Sequence, residues 1–343
     1  MAEGIKGAHL EPIQLNPGTF SGVLTRAELK TTTLNAGSFR GEFRIRGPLS
    51  ATDLTIGVLL EAEGSSSLWA SETQVGDIYV FPPGIEHEAR HGPRSDVATL
   101  TLPVEELLEH SVWVQPQMRE AFWQEPAVFR PPAPVSSAIV DGFKVALQGI
   151  SRTPEILQAP HARDALRDEL IGLLLKGYSS SAGRTIPTRR TFVCSSRAVR
   201  EAENYLHDNE DRPVRAPELC RHLDMTKRSL HRAFHDVVGL PPAVYLRRWR
   251  LAQVRRWLAD SRVIGLNVTD AALHFGFWEL GRFARQYQEH FGELPSQTVQ
   301  RTNRVRHITS LPFVTLAAEV SGGGEGNQKA DPQNRAIASG SVS

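Results

Sequence analysis

The sequence has few cysteines and no long apolar run. Only two cysteines occur in 343 residues, Cys194 and Cys220. Neither has a partner at the spacing of a zinc site or a redox pair, so a disulfide framework and a metal knuckle are excluded. No run approaches the ~18 apolar residues that span a bilayer, and the first residues lack the pattern of a secretion signal. These absences predict a cytoplasmic protein with two free thiols and no membrane partner.

Groups of metal-binding residues are also missing from the first half of the chain. Its histidines are scattered, and residues 37–75 contain none. A catalytic metal usually takes about three protein ligands. We therefore predict no metal, no cofactor and no catalytic site. The histidines in question are His9, His87, His91, His110 and His161.

Positive charge is scarce in the first half and abundant in the second. Residues 1–188 contain 16 Lys and Arg against 22 Asp and Glu, whereas residues 189–307 contain 21 against 13. The formal net charge of +1 hides this difference. A basic second half favours a polyanionic partner, although solvated surface charge alone is an alternative.

Short apolar runs separated by Gly, Pro, Ser and Asp fill residues 1 to about 110 and predict antiparallel strands in a small sandwich or barrel. The most distinctive pattern is Gly76 to His87, with a Gly-Asp turn, a buried strand and a Pro-Gly turn that ends in a histidine. This spacing resembles the second motif of the cupin barrels, in which the last histidine can bind a metal. The first cupin motif has no counterpart upstream.

A barrel of this size can enclose about one small molecule. Side chains on or beside the motif strand are the candidate walls of such an effector site, and a structural or exposed position stays open as the alternative for each. A cupin-type enzyme fused to a DNA-binding module stays open as an alternative. The candidate effector-binding residues are Trp69, Tyr79, Glu86 and His87.

Helical spacing begins near residue 104 and recurs in residues 135–150 and 162–180. In the last segment Leu166, Leu170, Leu173 and Leu174 share one face, with Arg and Asp opposite. That face fits packing on its own domain or a homodimer interface, and both stay open. Residues 179–190 have the composition of a flexible linker, and residues 321–343 that of a disordered tail.

The basic half contains two similar helix-turn-helix patterns. A helix from Arg197 to His207 precedes a short helix from Ala216 to Leu223, a turn, and a second helix that Thr226 caps and Gly239 ends. This arrangement presents the second helix to the major groove. Its candidate DNA-binding residues are Thr226, Lys227, Arg228, Ser229, His231 and Arg232.

A long helix that begins at Pro241 and Pro242 separates this unit from a second one. There a short helix from Val268 to Phe275 and a turn precede another reading helix, with Phe283, Tyr287 and Phe291 facing inward. Arginines of the long helix fit either DNA backbone contacts or simple solvation. The outward candidates of the second reading helix are Gly281, Arg282, Arg285 and Gln286.

Residues 197–301 resemble the DNA-binding domain of the AraC/XylS family of bacterial transcription regulators, and the run from Gly276 to Thr298 is similar to the branch with the ethanolamine-utilisation regulator. Cys220, Ala271, Gly281 and Arg282 depart from the usual residues. The matching residues are Leu219, Thr226, Arg228, Leu230, Arg232, Phe234, Gly239, Pro242, Tyr245, Leu246, Arg250, Leu251, Ala272, Gly276, Phe277, Phe283, Arg285, Phe291, Gly292 and Pro295.

The resemblance implies a fold of two domains, a β-rich cupin-like barrel with helices and an all-α domain with two helix-turn-helix units joined by a long helix. We place a sensing and dimerisation domain at 1–178, the linker at 179–190, the DNA-binding domain at 191–308 and the tail at 321–343. The predicted function is a sequence-specific transcription regulator that binds promoter DNA and responds to a small-molecule effector, as a homodimer that contacts RNA polymerase. An effector-independent or architectural DNA-binding protein stays open as an alternative.

Overall fold

The computed structural model describes residues 10–18, 20–69, 71–111, 123–181, 184–185, 190–210, 212–259, 267–304 and 315–318. The predicted tail, 321–343, lies outside the described residues. None of the helices in these ranges is long and apolar enough to cross a membrane.

Antiparallel strands of the first half form two sheets, and one strand from residues 315–318 adds to the edge of the larger sheet; the sheet orders are β1-β4-β9-β6-β7 and β12-β11-β8-β5-β10-β3-β2-β13. This confirms the predicted β-rich first domain. The strands are β1 (Glu11–Gln14), β2 (Ser21–Leu29), β3 (Thr32–Arg40), β4 (Phe43–Pro48), β5 (Leu54–Glu63), β6 (Ser67–Leu68), β7 (Ser71–Glu72), β8 (Ile78–Phe81), β9 (Glu86–His91), β10 (Arg94–Leu102), β11 (Ala127–Phe129), β12 (Arg184–Thr185) and β13 (Thr315–Ala318).

The larger sheet is buried on both faces. One face meets the smaller sheet in a core that includes Phe39, Phe43 and Tyr79. The other packs against α1 (Val104–Ser111), α2 (Ala133–Arg152) and α3 (Pro160–Ser180). Burial on both faces explains why β5 is a nearly continuous apolar run and does not alternate.

The Gly76 to His87 motif folds as predicted, with a turn, the buried strand β8 and a second turn. Gly76 and Gly84 have φ of 84° and 69°, a region that favours glycine. A Cβ on Gly76 would lie 2.5 Å from the Ser136 Cβ. The turn therefore needs glycine both for its backbone and for its contact with α2.

The leucine face of α3 packs on its own domain, where Leu170 and Leu174 are buried. Arg167 of the same helix is buried and pairs with Glu106 and Asp168. Of the predicted linker, 179–190, the structure describes residues 179–181, 184–185 and 190. The Ser180 hydroxyl donates to the Lys176 carbonyl within the last turn of α3, and Arg184–Thr185 pair with β11.

The second half is helical, as predicted. The first of its helices begins at Arg190 and not at Arg197, since no Gly or Pro interrupts the residues between them. The helices are α4 (Arg190–His207), α5 (Ala216–His222), α6 (Lys227–Val238), α7 (Pro242–Ala259), α8 (Val268–His274), α9 (Leu280–Phe291) and α10 (Pro295–Arg304).

The central helix α7 belongs to two cores at once. Tyr245 and Trp249 pack with Phe234 in the first helix-turn-helix unit, whereas Leu251 and Val254 pack in the second. Apolar residues therefore surround much of α7. This shared helix joins the two units through packed side chains.

Candidate DNA-binding surface and effector cavity

The reading helix α6 presents a polar face to solvent. Lys227, Arg228, His231 and Arg232 are all exposed, while Leu230 and Phe234 are buried on the opposite face. The Thr226 hydroxyl accepts a hydrogen bond from the Ser229 amide at 3.1 Å and forms the N-cap. Gly239 ends the helix with a φ of 74°. These caps fix both ends of α6 and so the direction of its exposed side chains.

The second reading helix, α9, has a similar face. Gly281, Arg282 and Arg285 are exposed and Gln286 is half-buried. Arg282 lies 3.8 Å from Glu279 in an exposed pair that leaves it free to turn to another partner. A Cβ on Gly281 would meet no atom within 4 Å. A larger residue at this position would therefore fit without strain.

Sequence reasoning missed Trp278, which lies in the turn before α9. Its side chain is 73% exposed, an uncommon state for tryptophan. The sequence offered one signal, because Trp278 is a second aromatic residue in a turn that already contains the buried Phe277. One exposed ring beside a reading helix can contact a base methyl group or a sugar.

The arginines of α7 divide into two groups. The Arg255 guanidinium lies 4.5 Å from the centre of the Phe291 ring and 3.2 Å from Glu293. Arg250 lies 5.2 Å from the Phe277 ring centre, and burial lowers its pKa. These two side chains hold the second unit together. Arg247 and Arg256 are exposed, so both predicted roles, contact with the DNA backbone and simple solvation, stay open for them.

A cavity of about 110 Å³ lies between the two sheets of the first domain. Tyr79 and His87 line it, as predicted, and so does His91, which sequence reasoning did not select. Trp69 does not line it but packs 5.2 Å from the Phe81 ring, which does. Other lining residues are Asn35, Gly37, Phe39, Phe43, Ile45, Gly57, Leu59, Leu68, Phe81, Ala89 and Thr99.

The predicted wall residue Glu86 lies elsewhere. It is exposed and pairs with Arg46 at 2.7 Å. Side chains alternate along a strand, so Glu86 points to the face of β9 opposite to His87. This placement does not support a contact between Glu86 and a molecule in the cavity.

Both cavity histidines are neutral near pH 7. Burial lowers the pKa of His87 to about 4 and that of His91 to about 3. Hydrogen bonds fix the two rings, from His87 Nδ1 to the Gly47 carbonyl at 2.8 Å and from His91 Nδ1 to the Ser95 hydroxyl at 2.9 Å. Among the described residues no group of three or more His, Cys, Asp and Glu is placed to hold a metal ion.

The outer face of β4 and β9 carries a buried cluster of charges that reaches the DNA-binding half. Arg44 pairs with Glu88 at 2.6 Å and with Glu203 of α4, and the Tyr245 hydroxyl of α7 donates to the same Glu203. Burial opposes the charge of Arg44, but Glu203 and Glu88 hold its pKa well above the usual value. Arg46 lies 3.6 Å from Glu203. We call Arg44, Glu88, Glu203 and Tyr245 the junction cluster.

Strand β1 makes a second connection between the two halves. Ile13 and Leu15 belong to the core of the first helix-turn-helix unit. The Gln14 amide donates to the His290 carbonyl at 2.8 Å, at the end of α9 in the second unit. Burial lowers the pKa of His290 to about 4. One short strand of the first domain thus contacts both DNA-binding units.

Comparison with known proteins places these features in context. A helix-turn-helix domain family matches residues 219–301, from α5 to α10. The XylDLEGF operon transcriptional activator 3 of Pseudomonas putida is 27% identical over 269 residues, which are 77% of this chain and 77% of that protein. Activator 2 of the same operon in Pseudomonas putida is 33% identical over 112 residues, 33% of this chain and 71% of that protein.

Among solved structures, one described as a probable AraC family transcriptional regulator from Rhodopseudomonas palustris CGA009 is 38% identical. The match covers 31% of this chain and 97% of that one, with a TM-score of 0.29.

Proposed function

Because the chain belongs to the AraC/XylS family and is a DNA-binding transcription regulator, we propose that α6 and α9 read promoter DNA and that the cavity of the first domain holds a small-molecule effector. The observation that supports DNA reading best is the pair of helices on either side of α7, each with exposed arginines and each ended by a left-handed glycine. Such helices fit successive major-groove segments about 34 Å apart on one face of the duplex.

The exposed side chains suggest separate roles. Arg228, Arg232 and Arg285 have the length and geometry to pair with O6 and N7 of guanine. Lys227 and Arg282 would neutralise phosphates, a contribution that adds affinity and salt dependence without sequence preference. Thr226 and Ser229 bond each other at the helix start, so they would position α6 and contact phosphates from its N-terminus.

Operator binding tests these roles. The full chain selects duplexes from a random-sequence library, and fluorescence anisotropy then measures the affinity of each variant for the enriched duplex. We expect Arg232→Ala and Arg285→Ala each to cost roughly 1–3 kcal/mol. Arg152→Ala, which removes an exposed arginine at the end of α2, is the control and should bind like the unchanged chain. Unchanged affinity in both test variants would remove these arginines from the reading set.

The same measurement separates a regulator from an architectural protein. A regulator binds its site about 10³ to 10⁷ times more tightly than unrelated DNA. A ratio near 10 would favour the architectural alternative.

The effector proposal is supported by the position of β4 and β9 between the cavity and the DNA-binding half. Phe43 and His87 line the cavity on one face of these strands, while Arg44 and Glu88 join the junction cluster on the other. A molecule that shifts β9 therefore acts on the contacts of α4 and α7. A ligand changes DNA binding only if it favours one arrangement of the halves over another.

Addition of a small-molecule extract of bacterial cells to the full chain tests the effector role. We expect the affinity for the enriched duplex to change with the extract and to be restored by dialysis. Identical affinity with and without extract would count against an effector.

We further propose that the regulator acts in the cytoplasm as a homodimer that contacts RNA polymerase, and sedimentation of the full chain with and without operator tests the dimer.

A further inference from the structure

The wall of the cavity in the first domain includes a buried amide oxygen without a hydrogen-bond partner. Asn35 of β3 is only 4% exposed and lines the cavity, and its Oδ1 atom has no hydrogen-bond partner among the described residues. Buried amides nearly always make hydrogen bonds, because water is not there to replace them. Two other polar side chains of the wall are each held through their Nδ1 atom. His87 bonds Gly47, and His91 bonds Ser95.

No cationic group is aimed into the cavity from the residues that line it. Arg90 is part of the wall through its place on β9, but its guanidinium lies 3.5 Å from Glu42 and beside Gly239, on the side of the DNA-binding half. The two histidines are uncharged, since burial disfavours their protonated forms. A carboxylate in this cavity would lose its hydration and meet no counter-charge.

The shape of the cavity limits the size of a ligand. Its volume of about 110 Å³ is of the same order as the ~150 Å³ of an engineered apolar cavity that binds benzene. Aromatic rings form much of the wall, and Phe43 stacks on His91 with ring centres 4.5 Å apart and planes at 10°. Flat walls of this kind fit a planar ring by offset or edge contacts.

We propose that the cavity binds a neutral, compact and mostly apolar molecule of about one ring, which forms a hydrogen bond with Asn35 through a single hydroxyl or N–H group. This assignment rests on the effector role proposed above and adds the chemical class of the ligand. An amide both donates and accepts, so a hydroxyl can satisfy it in either orientation of its oxygen and nitrogen.

Three probes of similar size, phenol, toluene and benzoate, distinguish a neutral polar, a neutral apolar and a charged ligand of the full chain. Isothermal titration at pH 7.5 measures the affinity of each. We expect benzoate to bind at least tenfold more weakly than phenol, because it is charged. The Asn35→Leu variant keeps the side-chain volume and removes the amide, so the ratio of phenol to toluene affinity should fall about tenfold.

A second variant guards against a general effect on folding. A Cβ on Gly57 would lie 3.3 Å from both Phe81 and Thr99 in the cavity wall. Gly57→Ala should therefore weaken the binding of phenol and of toluene to the same extent and leave the ratio of their affinities unchanged. The comparison among the three probes on the unchanged chain stands even if Asn35→Leu does not fold.

Several outcomes would overturn the assignment. They are benzoate binding as tightly as phenol, a phenol to toluene ratio that Asn35→Leu does not change, and no binding of phenol or toluene to the unchanged chain at millimolar concentration. If the probes bind as expected but do not alter operator affinity, the ligand class stands and the effector role proposed above fails.

Discussion

Arg44 is the side chain whose removal tests the contact between the two halves most directly. Its guanidinium is 98% buried and pairs with Glu88 of its own sheet and with Glu203 of α4. Replacement by leucine puts an apolar side chain in its place, removes the partner of Glu88 and leaves Glu203 with Arg46, 3.6 Å away. The change therefore affects the junction and not the exposed reading helices.

The expected cost follows from the burial of the pair. Breaking a buried ion pair by removing one partner costs about 3–5 kcal/mol, because the other charge stays desolvated. The free energy of unfolding of a typical domain is only ~5–15 kcal/mol. Arg44→Leu should therefore lower the urea midpoint of the full chain substantially, and Glu203→Leu should act similarly.

The double variant, Arg44→Leu with Glu203→Leu, shows whether the two charges interact or contribute to stability independently. With Arg44 and Glu203 both replaced by leucine, the desolvated charge of Glu203 is gone and only Glu88 stays without its partner, so the loss should be about 2 kcal/mol or more smaller than the sum of the single losses. Tryptophan fluorescence in urea measures all four proteins, and Arg152→Leu is an exposed control. Additive losses within about 0.5 kcal/mol would refute the reasoning that these side chains are coupled across the junction.

Two further predictions concern the cavity and the second reading helix. The pKa of His87 falls from 6.5 to about 4 on folding, so the unfolded chain binds its proton first. The stabilisation from the neutral ring is complete above pH 6.5 and is lost as the pH falls toward 4, by roughly 3 kcal/mol; urea unfolding at a series of pH values should show this loss, and His87→Gln should reduce it. Trp278→Ala should weaken operator binding by about 1 kcal/mol while the free energy of unfolding changes by less than ~0.5 kcal/mol. Val145→Ala, at an exposed site of α2, is its control in both anisotropy and urea unfolding, and an unchanged affinity of Trp278→Ala would exclude the ring from the DNA surface.

Much of the DNA-binding half was predictable because its signals are local. The hydroxyl of Thr226, the glycines at 239 and 292, and the spacing of Phe283, Tyr287 and Phe291 each act within one or two helical turns. The structure confirms the two units and their buried faces. The roles of the exposed residues in reading DNA stay predictions, since exposure shows access and not contact.

The cavity was predictable only in part. The alternation of β9 makes His87 and Glu86 face opposite sides, but the sequence does not say which side is the interior. Tyr79 and His87 proved to line the cavity, whereas Glu86 did not. The sequence gives no indication that Asn35 lines the cavity, because a single buried asparagine in a strand has the same sequence pattern as an exposed one.

The sequence by itself determined the family, the order of the elements and the two reading helices, since each depends on residues that are near neighbours in the chain. Only the tertiary structure decided what covers the polar face of β4 and β9. Arg44 alternates with apolar residues in the sequence of β4, and Glu203 is one of several charged residues on α4, patterns that are typical of solvent-exposed positions. They are buried because residues 159 positions apart meet, and local periodicity does not indicate which distant surface a polar face will pack against.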